Sequence, residues 1–232
     1  MLKEILIYVL VMTYTQADAN DGVVLLHGLC RTSASMNKMA DALAAAGYVV
    51  SNIDYPSRSA NIEQLSEDVM GTALQCTKLA GCRKIHFVTH SLGGIIVRSY
   101  FSRHHDPRLG RVVMLGPPNQ GSEVVDRLRG WSVFKKINGP AGGELGTDAA
   151  SVPRKLGAVT FEVGVIAGDR SINWINSWII PGRDDGKVSV RGTRVAGMTD
   201  HLVVHATHPF LMNNKQCVAA TLRFLHTGSF AH

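Results

Sequence analysis

A serine, an aspartate and a histidine stand in this chain where together they could make a hydroxyl nucleophilic. Ser91 occupies the frame Thr89-His90-Ser91-Leu92-Gly93, inside the stretch KIHFVTHSLGGIIVRSY, Lys84–Tyr100. Lys84 to His90 reads as a short buried strand, and Leu92 to Tyr100 as the start of a helix. A strand that turns abruptly into a helix, with serine at the apex and glycine just after it, pushes the hydroxyl out of the sheet. The same turn puts the backbone N–H of Leu92 at a helix N-terminus, where it can meet a developing oxyanion. A serine hydroxyl is inert at neutral pH until a positioned base takes its proton, and that base needs a third group to hold its tautomer.

In a parallel sheet the base and the acid emerge from the C-terminal ends of later strands, so chain order Ser…Asp…His is a constraint. His208 follows the last apolar run, His201–Thr207, and fits the base. His201 and His205 fall inside that run, and His205 reads as a packing or edge residue. His226 and His232 belong in or after the final helix. For the acid, Asp185 lies in an Asp-Gly-x-Val loop just before the last strand and is preferred. Asp169, directly after the run Phe161–Ala167, and Asp184 remain open, while Asp200 and Asp54 fit less well. The second oxyanion donor is expected from His27-Gly28-Leu29 after the first strand, through the N–H of Leu29. The His27 side chain reads as a structural hydrogen-bonder beneath that loop.

The elements that must position these groups follow in a regular rhythm. Gly22–Leu29, Tyr48–Tyr55, Lys84–His90, Arg111–Leu115, Phe161–Ala167 and His201–Thr207 are apolar runs of strand length. Helical spacing lies between the early ones: Met36, Met39, Ala40 and Leu43, then Ile62, Leu65, Val69, Ala73, Cys76 and Leu79 after a capping Asn61. Lys215–His226 closes the chain as a helix. Continuous rather than alternating apolar strands imply a mostly parallel sheet with helices on both faces, a three-layer αβα class. The segment 119–160 breaks the rhythm. It is expected as an insertion near the active-site edge, with glycine-rich loops at Gly139–Gly146 and a short helix at Glu123–Leu128. Trp131, Val133 and Phe134 in it fit either a partial apolar cover or, preferentially, ordinary packing.

With 232 residues, 45% hydrophobic content and a net charge of +6, residues 20–232 are expected as one domain. The basic residues are dispersed, which argues against nucleic-acid binding and leaves a weak attraction to anionic surfaces. Residues 1–19 combine Lys3, an apolar run and Ala17-Asp18-Ala19. This is the pattern of a signal peptide cleaved after Ala19, implying a secreted or periplasmic protein, cytoplasmic if that reading fails. The run is too short to span a bilayer, so no stable membrane anchor is expected, only transient contact with a lipid surface. Cys30, Cys76, Cys82 and Cys217 form no CxxC pair, and Cys76 with Cys82 fits a local disulfide or two buried thiols equally. Asp184-Asp185 reads as a polar turn rather than a calcium site. No metal or cofactor is expected.

The segments VVLLHGL, HFVTHSLGGIIVR, LGPPNQGSEVVD, PGRDDGKVSV and THPF resemble the α/β-hydrolase fold family, and more closely its small bacterial triacylglycerol lipase-like and esterase-like members. The resemblance covers residues 20 to 226. It implies a triad of Ser91, Asp185 and His208, raising Asp185 above Asp169, and a reduced sheet of about six strands. It further implies hydrolysis of a small-molecule or lipid carboxylic ester through an acyl-enzyme. An acyltransferase, or a thioesterase or amidase, using the same triad is the alternative, and a non-catalytic binding module fits less well. Thr89 stands where the family pattern has glycine, Asn119 where bacterial lipases often have histidine, and no long helical lid is evident.

Overall fold

Each strand is short because its sequence supplies only five to seven residues that can lie buried between two helical layers. A computed structural model describes residues 21–172 and 174–230. The proposed leader, 1–19, lies outside them. Six parallel strands make one sheet: β1 Gly22–Leu26, β2 Val49–Ile53, β3 Ile85–His90, β4 Leu109–Leu115, β5 Val163–Gly168 and β6 Asp200–Val204. Their spatial order is β2-β1-β3-β4-β5-β6. The chain therefore moves outward from β1 to β2, then crosses back to β3 on the other side of β1. That reversal opens a crevice at the C-terminal ends of β1 and β3, the place where ligands bind in such sheets. Leu26 pairs with Thr89 across it, so the loops after β1 and after β3 emerge side by side.

Helices α1 Asn37–Ala45, α2 Ile62–Leu74, α3 Leu92–Phe101 and α8 Lys215–Thr227 cover the sheet. Alternate residues of β1 separate the two faces. Val24 and Leu26 pack with α2 and α3 through Ile62, Leu65, Val69, Ile95 and Ile96. Val23 and Leu25 pack with α1 and α8 through Met39, Leu43, Phe224 and Leu225. The helix ends follow the chemistry of their caps. Asn61 accepts from Gln64 N (2.9 Å) at the start of α2, and Asn214 from Gln216 N and Cys217 N at the start of α8. Gly228, at φ 79°, ends α8.

Three expectations need correction. The last strand stops at Val204 rather than Thr207, because its partner β5 ends at Gly168, opposite Val204. His205 is consequently neither packed nor in the sheet: its side chain is exposed and bonds Asp169. The glycine-rich stretch is mostly helical. After α4, Glu123–Leu128, comes α5, Ser132–Gly143, kinked where Gly139 takes φ 64° ahead of Pro140, and then α6, Val152–Lys155. A last short helix, α7 Trp174–Ile179, follows β5. Cys76 and Cys82 are free thiols. No described helix is long and apolar enough to cross a membrane.

Candidate active site

The turn from β3 into α3 forces Ser91 to φ 51° and ψ −117°, a left-handed conformation that a residue with a Cβ adopts only under strain. It is held there from both sides. Ser91 N donates to Leu115 O (2.9 Å), and Gly94 N donates to Ser91 O (3.1 Å). Gly93 is required because a Cβ there would stand 2.8 Å from Leu26 O and 3.0 Å from His27 O. Thr89, buried in place of the family glycine, fits because the next helical residue inward, Gly94, leaves room. A Cβ on Gly94 would lie 3.3 Å from Thr89 Oγ1. As the first residue of α3, Leu92 has an N–H with no intrahelical acceptor.

The loop after β1 approaches this turn closely. A Cβ on Gly28 would meet His90 Nδ1 at 2.7 Å and Ser91 Cβ at 3.2 Å. His27 fixes the loop from beneath. Its Nδ1–H donates to Gly28 O (2.9 Å), its Nε2 accepts from Tyr55 N (3.3 Å), and its ring stacks on Tyr55. Burial holds the imidazole below its ordinary pKa, consistent with this neutral tautomer. Leu29 and Cys30 follow, with Cys30 at φ 58° and its N–H on Ser57 Oγ (3.1 Å).

At the far end of the sheet, His208 opens the short 3₁₀ turn His208–Asn213. Its Nδ1 lies 2.7 Å from Asp185 Oδ2, and its backbone N–H donates to Asp185 O (2.9 Å). The other oxygen of Asp185 accepts from Lys187 N (3.0 Å) and Val188 N (2.9 Å). Asp185 is 1% exposed and His208 7%. A carboxylate only accepts, so His208 Nδ1 carries the proton and Nε2 keeps its lone pair. The competing acids are engaged elsewhere. Asp169 binds Arg183 and His205, and Asp184 Oδ1 accepts from Gly186 N and Ser177 Oγ.

Ser91, His208 and Leu29 line one cavity of about 580 Å³. The insertion supplies its apolar wall through Val124, Val125, Phe134 and Leu145, and Ser122 Oγ ties the insertion to the acid loop by donating to Lys187 O (2.8 Å). Arg31 and Lys187 line it too, and among the described residues no carboxylate does. A cavity of about 560 Å³ at the N-terminal ends of β3 and β4 is lined, among the described residues, by no serine or cysteine.

Two contributors lay beyond sequence reasoning. His90 donates through Nε2 to His208 O (3.0 Å) while burial holds its pKa far below the ordinary histidine value. Its place directly before the serine was the available signal. Arg98, buried without a carboxylate, donates to Asn119 O and Oδ1, Pro153 O and Gly157 O, and so fastens both ends of the insertion. Asn119 is thus a structural acceptor, beyond the reach of sequence spacing because its partner is on α3.

The fold recurs in solved structures. Over 85% of this chain and 88% of the other, the mature form of the Bacillus licheniformis lipase BlEst2 is similar at 21% identity and a TM-score of 0.65. Its propeptide form is similar over 94% and 52%, at 21% identity and a TM-score of 0.74. The product of gene lin2722 from Listeria innocua is similar over 90% and 95%, at 17% identity and a TM-score of 0.61. Among curated proteins no sequence matches. The palmitoyl protein thioesterase family model matches residues 22–152, more than half of the chain and the whole stretch from β1 through the nucleophile turn to α6. On that match and this architecture, the chain belongs to the palmitoyl protein thioesterase family and carries the α/β-hydrolase fold of lipases and esterases.

Proposed function

We propose that this protein hydrolyses carboxylic esters of apolar acyl groups through an acyl-enzyme on Ser91. Ser91 Oγ attacks the acyl carbonyl carbon and passes its proton to His208 Nε2, whose lone pair Asp185 keeps available. The carbonyl oxygen becomes an oxyanion between the N–H groups of Leu29 and Leu92. His208 then protonates the leaving alcohol as the carbon–oxygen bond breaks. Water repeats the sequence to release the acid and restore Ser91. The acyl chain lies along Val124, Val125, Phe134 and Leu145. The observation that carries this reading is the 2.7 Å contact of buried Asp185 with His208, in a cavity that also holds the strained Ser91.

The family match favours a second reading, in which the leaving group is a thiol. The same steps apply, with a carbon–sulfur bond breaking instead. Rates on matched oxygen esters and thioesters, from acetyl to palmitoyl, decide between them. A higher kcat/KM on thioesters selects the second. No turnover on any member of either series overturns the hydrolase reading.

A further inference from the structure

Helix α5 stands at the mouth of the cavity with its polar and apolar sides in an unusual arrangement. Phe134 and Asn138, four residues apart, are its half-buried side chains ahead of the kink: both line the cavity, and Cys30 Sγ donates to the adjacent Ile137 O. The outward surface carries Trp131 at 65% exposure, Val133 at 64% and Ile137 at 52%. Soluble surfaces hold single exposed apolar side chains, but three on one turn and a half of helix need a partner. α4 packs against both α5 and α7, and α7 adds Trp178 at 90% exposure.

Charge says what kind of partner. Between Arg127 and Gly143 there are four basic residues and no acidic one. Arg129 is committed to Asp148, whereas Lys135 and Lys136 are exposed beside the apolar trio. The same sign continues inward through Arg31 and Lys187. An aromatic side chain at a helix start, aliphatic neighbours and flanking lysines, all facing solvent, are the features of a helix that lies in the headgroup layer of an anionic bilayer. Ile137 belongs to both the exposed face and the cavity lining, so an acyl chain leaving the bilayer would enter along it.

We propose that α5 docks the protein on anionic lipid surfaces and holds the cavity mouth against them. The docking does not depend on the catalytic reading, although it gives that reading a lipid-borne substrate. The test uses the full chain carrying Ser91→Ala, so that hydrolysis cannot alter the lipid, in sedimentation with phosphatidylglycerol/phosphatidylcholine vesicles and with pure phosphatidylcholine vesicles. The protein partitions onto the anionic vesicles, and less so as salt rises. Lys135→Gln/Lys136→Gln weakens partitioning roughly 25-fold, at about fivefold per basic residue, and Trp131→Ser/Val133→Ser abolishes it. Lys215→Gln/Arg223→Gln on α8, which removes the same charge from outside the cavity lining, leaves it unchanged. On the Ser91 background none of the three pairs touches turnover of p-nitrophenyl butyrate, which shows that each variant is folded. Equal partitioning on neutral vesicles, or equal loss from the α8 pair, overturns the proposal in favour of non-specific adsorption. No partitioning of the parent chain overturns it outright.

Discussion

Asp185→Asn isolates the role of one oxygen. Oδ1 of Asp185 accepts from two backbone donors, Lys187 N and Val188 N, so an asparagine must keep its carbonyl oxygen there and turn its NH₂ toward His208. At the position of the present 2.7 Å contact the amide would donate to His208 Nδ1. The imidazole then carries its proton on Nε2 and cannot take one from Ser91. Where this exchange has been made in a Ser-His-Asp enzyme, kcat falls about 10⁴-fold, about 5.5 kcal/mol of transition-state stabilisation. Stability should change little, because the loop bonds and the packing volume persist. The assay is kcat on a soluble p-nitrophenyl ester at neutral pH, with the melting temperature as control and Asp169→Asn in parallel. Asp169 is held by Arg183 and His205, so its variant should stay within a few-fold of the parent. An Asp185→Asn enzyme within tenfold of the parent, or an Asp169→Asn enzyme that falls as far, refutes the assignment.

Gly28→Ala places a Cβ 2.7 Å from His90 Nδ1 and shifts the loop that presents Leu29, so kcat should drop about 10²–10³-fold, the cost of one oxyanion donor, with KM little changed. Arg98→Met leaves three buried acceptors, Asn119 O, Asn119 Oδ1 and Pro153 O, without their guanidinium donor; urea unfolding should show a loss on the order of 3 kcal/mol, and limited proteolysis should cut between 119 and 157. Acid should destabilise the fold through its buried histidines. Burial holds His27, His86, His90 and His201 below the ordinary value, His201 down to about 4, so the unfolded chain takes up protons that the folded one refuses. Stability is therefore intact above pH 6.5 and falls as pH drops toward 4. A flat denaturation midpoint over that window would contradict it.

The proposed constellation could be read from the chain because its rules are local. A serine between a buried run and a glycine-rich helix start, and an aspartate and a histidine at strand ends, need no knowledge of tertiary contacts. Asp185 could not be separated from Asp169 by position alone, since both follow β5 and precede His208. The resemblance chose Asp185, and the structure brings Asp185 to the imidazole while Arg183 draws Asp169 away. The cavity wall was far less legible. Gly139 and Pro140 interrupt the helical pattern of α5, and its cavity side is tied down by Asn138 Nδ2 on Phe134 O and by Cys30 Sγ on Ile137 O, a partner more than a hundred residues away. His86 and Arg98 answer partners remote in sequence, for which spacing carries no signal.

The most direct measurement of the central claim is mass spectrometry of the protein after reaction with a fluorophosphonate. The account predicts one adduct per chain on the peptide containing Ser91, loss of ester hydrolysis in step with labelling, and neither labelling nor hydrolysis in a folded Ser91→Ala variant. Labelling or hydrolysis that survives in that variant would contradict it.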